Sequence, residues 1–238
     1  TYNRTLTIGR VMSPTLSLLV QREREISAFV PEPFYHLVLD CGFPLSSEKL
    51  TDMEAAQELT RACAVSSITV LSVERKEHTE KAPALYDLTT LQREANRLCG
   101  FTAQQTLDYL QSLYEKKLCT YPRTDSRYLT NDMESAVPDY AAAAAAILGC
   151  ELPKKIFPKQ VCNSQKVSDH HAVIPSLSAK NVDISALPTG EQTILTLVAQ
   201  GFLRGLCPEY RFAETVVTAE YAGHTFRARG KEILKRGW

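Results

Sequence analysis

The chain has 238 residues, 44% hydrophobic, 23% charged and 8% aromatic, a globular composition that excludes a disordered, collagen-like or coiled-coil polypeptide. Lysine plus arginine balance aspartate plus glutamate at 27 each, so no net positive field gathers nucleic acid or an anionic membrane. No apolar run approaches the ~20 residues of a membrane span and no signal segment opens the chain. Seven scattered cysteines without a C-x-x-C pair fit neither a disulfide framework nor a zinc site. Each reads as a small buried apolar residue, and a reducing cytoplasm is the expected compartment. Thr1 is no initiator, and the chain stops just after a strand-like segment ending at Trp238, which predicts a piece of a longer protein.

In chain order, Leu16, Leu19, Val20 and Ile26 around an Arg-Glu-Arg-Glu cluster predict an amphipathic helix over 14–28, ended by Pro31 and Pro33. Alternation of Tyr35, Leu37 and Leu39 predicts a strand, as does 67–73, with helical spacing between them at 53–63. From Pro83 the texture becomes helical. Thr89-Thr90-Leu91-Gln92 reads as a capping box opening a helix that Gly100 closes, and Thr102 to Gln105 as a second box opening a helix to about Lys116. A further helix is expected from near Asn131, broken around Pro138, through the alanine run 141–146. Thr189 to Gln192 caps another, with Ile194, Leu197, Val198 and Phe202 on one face. Strands return after Pro208, with 212–221 and 225–229 joined by an Ala222-Gly223 turn. The expectation is therefore an α+β multidomain chain, in which a β-rich discontinuous domain receives an α-helical insertion.

Polar chemistry concentrates in 118–129, where Tyr121 precedes Arg123 across Pro122. A phenol with a pKa of ~10 is a poor nucleophile until positive charge favours the phenolate, and the same charge stabilises a phosphorane-like transition state. Taken without its neighbours, the pair is better explained as a half-buried aromatic beside a surface arginine. A second cluster, Ser168-Asp169-His170-His171, follows about fifty residues later. Its adjacent imidazoles point different ways and no other histidine supplies ligand spacing, so a phosphate contact is favoured over a metal site, alongside a satisfied structural histidine.

The string Thr120-Tyr121-Pro122-Arg123-Thr124-Asp125-Ser126-Arg127-Tyr128-Leu129 resembles the active-site signature of type IA DNA topoisomerases, in the variant of the bacterial topoisomerase III branch. Three companions resemble the same family in order: Gly9-Arg10-Val11-Met12, Asp169-His170-His171-Ala172-Val173-Ile174-Pro175, and the strand pair from Gly223. The resemblance implies that Tyr121 is the nucleophile that holds a 5′ phosphate and that Arg123 contacts the scissile phosphate. It makes His170, Arg10, Arg127, Asp125 and Gln92 the candidate DNA-binding residues. It also implies a base segment over 1–29, a β-rich arch or gate over 30–82 and 209–238, and a helical tyrosine domain over 83–208.

Two departures matter. The family's Toprim domain supplies a glutamate and an Asp-x-Asp pair that hold magnesium, and no Asp-x-Asp occurs here; Met12 stands where many relatives have glutamine. No cofactor is expected on this chain, magnesium belonging to the full-length enzyme. The expected partner is single-stranded or underwound DNA, with no membrane and a monomeric state. The chain alone is expected to bind DNA weakly without relaxing it. Around Tyr121, Lys116, Lys117, Arg123 and Arg127 outnumber the acids, as do Lys154, Lys155, Lys159 and Lys166 before the histidines, so either set is suited to line a strand groove, although at least half should be solvated surface charges. Tyrosine recombinases and type IB enzymes place their arginines and histidine before a tyrosine near the C-terminal end, whereas Tyr121 precedes His170, an order that argues against them. A non-catalytic strand-binding module is the remaining alternative.

Overall fold

The computed structural model describes residues 8–63 and 67–238; the first seven residues of the expected base segment, 1–29, lie outside them. Among the described residues there are six α-helices and a five-stranded antiparallel sheet of order β1-β2-β5-β4-β3, a mixed α+β architecture. The chain divides into two compact units, Thr1–Glu74 with Val216–Arg229, and Arg75–Thr215 with Gly230–Trp238. The three long strands, β3 (Thr69–Glu80), β4 (Tyr210–Tyr221) and β5 (His224–Lys235), each contribute residues to both.

In the first unit, α1 (Met12–Ser27) begins two residues before the expected start, because Pro14 is tolerated within a first helical turn. None of its residues is buried. The first strand is shorter than alternation suggested: β1 covers only Val38–Asp40 and pairs with β2 (Pro44–Ser47) in the register Leu39 to Leu45. Ahead of it, Ser47 Oγ accepts from the Leu37 amide at 2.9 Å, so a side chain takes a donor that a longer ladder would have used. β2 also pairs with β5, Ser47 opposite Phe226. Helix α2 (Met53–Cys63) has the expected bounds. Leu45, Leu59, Cys63, Ala219 and Phe226 form the core of this unit. The β4–β5 loop is the expected two-residue turn: Ala222 and Gly223 have φ of 51° and 78°, the double positive pair that matches strand twist.

The second unit holds α3 (Leu88–Cys99), α4 (Ala103–Glu115), α5 (Val137–Leu148) and α6 (Thr189–Gly205) around one core that includes Leu91, Leu110, Leu113, Ile194, Val198 and Phe202. The alanine run is packing as well as helix: Ala141, Ala143, Ala144 and Ala145 are buried, and α5 packs on α6. Two caps differ from the sequence reading. The α3 box is closed by Asp87, whose Oδ1 accepts from the Thr90 amide at 2.6 Å while Thr90 Oγ1 accepts from the Asp87 amide; Thr89 is already helical. Thr189 is likewise the first helical residue of α6, behind Pro188, and has no capping role. The box at Thr102 and Gln105 forms as expected. Strand residues in this unit carry paired charges, Arg75 with Glu232 and Arg211 with Glu77.

The cysteines are not uniformly internal. Cys63 and Cys119 are buried, but Cys41, Cys99 and Cys150 are exposed, and all seven are free thiols. Among the described residues no helix is long and apolar enough to cross a membrane.

Candidate active site around Tyr121

The tyrosine segment begins where α4 ends. Lys117 takes a left-handed conformation, φ 60°, and the hydroxyls of Ser176 and Ser178 both donate to its carbonyl, turning the chain out of the helix. Residues 118–120 then run antiparallel to 174–176. The Thr120 amide donates to Ile174 O at 3.0 Å and the Ser176 amide to Leu118 O at 2.9 Å. Thr120 Oγ1 accepts from the Ile174 amide at 3.0 Å, so a side chain completes the ladder. Farther along, Thr124 Oγ1 donates to His170 O at 2.8 Å and accepts from the Ser126 amide at 3.0 Å. Ser126 Oγ donates to Lys166 O at 2.8 Å, Ser168 Oγ to Asp125 Oδ1 at 2.7 Å, and the Ala172 amide to Tyr128 O at 3.0 Å.

The tyrosine and histidine segments, distant in sequence, are therefore fastened along most of their length. Alternate residues of the motif, Pro122, Thr124 and Ser126, are buried and face this seam, while Arg123 and Asp125 between them are exposed. That alternation is visible in the sequence as a fastening signal.

Tyr121 is half-buried between two rings. His170 lies at a centroid distance of 4.3 Å and an interplanar angle of 41°, and Tyr114 meets Tyr121 edge-on at 5.5 Å. The Tyr121 hydroxyl has no protein hydrogen-bond partner and is not sealed from solvent. Beside it, Arg123 and His170 line a small recess of about 330 Å³ together with Thr124, Asp125, Ser168 and Asp169. Arg123 forms no ion pair. Tyr121 itself does not line the recess; it reaches it through the His170 ring, so a guanidinium and an imidazole suited to an anionic ester lie next to a phenol. Among the described residues no three His, Cys, Asp or Glu side chains converge as metal ligands, and Asp125 is hydrogen-bonded by Ser168.

Residues 1–238 match the family described as DNA topoisomerase. The chain belongs to the type IA DNA topoisomerases. DNA topoisomerase 3 of Bacillus licheniformis is 37% identical over all of this chain and 34% of that protein; the Bacillus subtilis DNA topoisomerase 3 is 35% identical over the same shares. The chain thus spans about a third of the length of the curated relatives it matches. Full-length topoisomerase I of Thermotoga maritima has the same fold over 98% of this chain and 40% of its own, with a TM-score of 0.70 at 22% identity.

Within this topoisomerase chain the candidate residues separate. Tyr121, Arg123, Asp125 and His170 are gathered at one place. Arg127 is not: its Nε and Nη2 donate to the carbonyls of Leu85 and Ala84 at 3.0 and 3.3 Å, and it lines a different recess. Gln92 braces α3 against α4 by donating to Ala103 O at 2.9 Å. Arg10 is exposed just before α1, in the other unit. The lysines are also partly committed. Lys116 pairs at 2.6 Å with Glu191, which also accepts from Ser112, and Lys166 and Lys155 sit over the rings of Tyr128 and Phe157. Sequence reasoning missed Glu191 as the buried partner of Lys116, because a single acid at the start of an apolar helix carries no pairing signal.

Proposed function

We propose that this chain is the strand-cleaving and gate portion of a type IA topoisomerase, acting on single-stranded or underwound DNA. The observation that carries the reading is Tyr121, solvent-reaching and without a protein hydrogen bond, in tilted ring contact with His170, which shares a recess with the unpaired Arg123. The Tyr121 oxygen, after losing its proton, attacks the scissile phosphorus. The bond to the 3′ oxygen breaks, and that oxygen takes a proton and leaves as a 3′ hydroxyl. A 5′-phosphotyrosyl ester is formed with no net loss of ester bonds, so attack by the 3′ hydroxyl reverses the step without a nucleotide. Arg123 offsets the charge that grows on the phosphorane oxygens, an interaction that is stronger in the transition state than in the bound strand. His170 positions the phenol through its ring contact and offers a nitrogen to the strand's phosphate.

The acid that protonates the 3′ oxygen, and magnesium with its carboxylates, are assigned to another part of the parent enzyme. The 30–82 and 209–238 segments are read as the arch that swings the tyrosine-bearing helical domain, 83–208, away from the base, so that a second strand passes through the break. A cross-link holding the gate shut in the full-length enzyme should abolish strand passage and leave cleavage intact; passage that survives it contradicts the hinge.

Relaxation of supercoiled plasmid tests the division of labour. The chain with magnesium alone should leave the plasmid supercoiled, and adding a separately folded Toprim domain should permit cleavage. Robust relaxation by the chain alone contradicts the reading, and a folded partner that never yields cleavage points to a strand-binding module without catalysis.

A further inference from the structure

We propose that a second recess of this chain, between α3 and α6, is a binding site for a phosphate group. The recess has a volume of about 470 Å³ and is lined by Arg93, Arg97, Arg127 and Arg204 against one carboxylate, Glu94. That carboxylate is already taken: Arg97 grips it with Nε at 3.2 Å and Nη2 at 3.0 Å, which holds its pKa below the ordinary carboxylate range. Arg93, Arg127 and Arg204 form no ion pair, although Arg204 is near enough to Glu94 to help hold that carboxyl down, so one carboxylate faces four guanidinium groups.

Two of the three are nonetheless held in place by neutral oxygens. Arg127 is fixed by the Leu85 and Ala84 carbonyls. Arg204 donates from Nη2 to Tyr86 Oη at 2.7 Å, and its Nε is buried with no partner. The Tyr86 ring lies directly on Gly201, where an added Cβ would come within 2.2 Å of it, so the absence of a side chain there lets the phenol reach Arg204. Gathering uncompensated guanidinium groups around one opening is unfavourable unless an anion offsets them, and a planar guanidinium fork matches a phosphate with two parallel hydrogen bonds. The second recess shares no lining residue with the one that contains Arg123 and His170, so it serves a phosphate other than the scissile one. That phosphate comes either from a DNA strand or from a free phosphate compound; the recognising chemistry is the same.

Trp238, the single tryptophan of the chain, lines this recess and reports on it. Its fluorescence should be followed in the Tyr121→Phe chain, to prevent cleavage, while inorganic pyrophosphate, an oligothymidylate or thymidine is added. A saturable, salt-sensitive change is expected with a phosphate-bearing probe and none with thymidine. Response to pyrophosphate shows that a phosphate group suffices, whereas response to the oligonucleotide alone assigns the site to a strand. Arg93→Glu, at an exposed position, and Arg204→Gln should each weaken the response about tenfold or more, as expected for one lost charge-assisted contact. Arg123→Ala should leave the pyrophosphate curve in place, which separates this site from the cleavage site. No response to either phosphate probe, or an Arg93→Glu chain with unchanged curves, overturns the proposal whether or not the chain cleaves DNA.

Discussion

The imidazole of His170 packs against the phenol of Tyr121, centroid to centroid at 4.3 Å, across a gap of 49 positions in the chain. The contact is set by side-chain-to-backbone bonds: the hydroxyls of Thr120 and Thr124 fasten the tyrosine segment to Ala172, Ile174 and His170 on either side of the ring pair. A tyrosine held in this way keeps its ring position while its hydroxyl remains available.

Removing that hydroxyl should therefore cost the fold little. Tyr121→Phe loses no protein hydrogen bond and keeps both ring contacts, so its unfolding free energy should stay within about 0.5 kcal/mol of the parent. Thermal denaturation checks this; a drop of several degrees assigns the hydroxyl a structural role and weakens the catalytic one.

Thr124→Val should behave in the opposite way. It keeps the shape but removes the donor to the part-buried His170 O and the acceptor of the buried Ser126 amide, leaving that amide unsatisfied. A loss of about 1–3 kcal/mol is expected, seen as a lower urea midpoint with unchanged slope. A midpoint equal to that of the parent means the seam does not depend on this hydroxyl.

The Glu94 and Arg97 pair gives a pH signature. Its hydrogen bonds to Arg97 hold the Glu94 carboxyl below its ordinary range, so its stabilisation is present above that range and is lost as pH falls through the depressed value. The pair sits on a helix surface, so Glu94→Gln should cost little at pH 7 and less at pH 3. Denaturant curves at the two pH values test this, an equal cost at both being the contrary result.

Thiol chemistry should sort the cysteines by position. Cys41, Cys99 and Cys150 should react with a thiol reagent rapidly at neutral pH, while Cys119, whose pKa burial pushes far up, and Cys63 should react only on unfolding. Rapid labelling of Cys119 in the native state contradicts the packing of the tyrosine segment against Pro175.

These outcomes follow from features with unequal legibility in the sequence. Helix α2, the box at Thr102 and the Ala222-Gly223 turn were legible because short-range rules decide them. The cap of α3 lies at Asp87 although Thr89, with Gln92 three residues on, fits the usual pattern better, because a Thr90 hydroxyl stands in for the expected Glu or Gln. Tyr121, Arg123 and His170 stood out through a motif, but their meeting depends on pairing between 118–129 and 161–176, which no local period encodes. Arg127 illustrates the converse: it sits inside the same motif, yet its guanidinium turns to the Ala84 and Leu85 carbonyls. The arginine recess was invisible because its members come from α3, the tyrosine segment and α6.

The most direct test of the central claim is covalent capture of a DNA strand by Tyr121. The chain, supplied with a folded Toprim domain and magnesium, should be mixed with a single-stranded oligonucleotide labelled at one end and then denatured. With a 5′-phosphotyrosyl bond, the 3′-end label remains attached to the protein, the 5′-end label leaves on a fragment with a free 3′ hydroxyl, and Tyr121→Phe retains neither. Retention of the 5′-end label, or undiminished capture by Tyr121→Phe, would contradict the account.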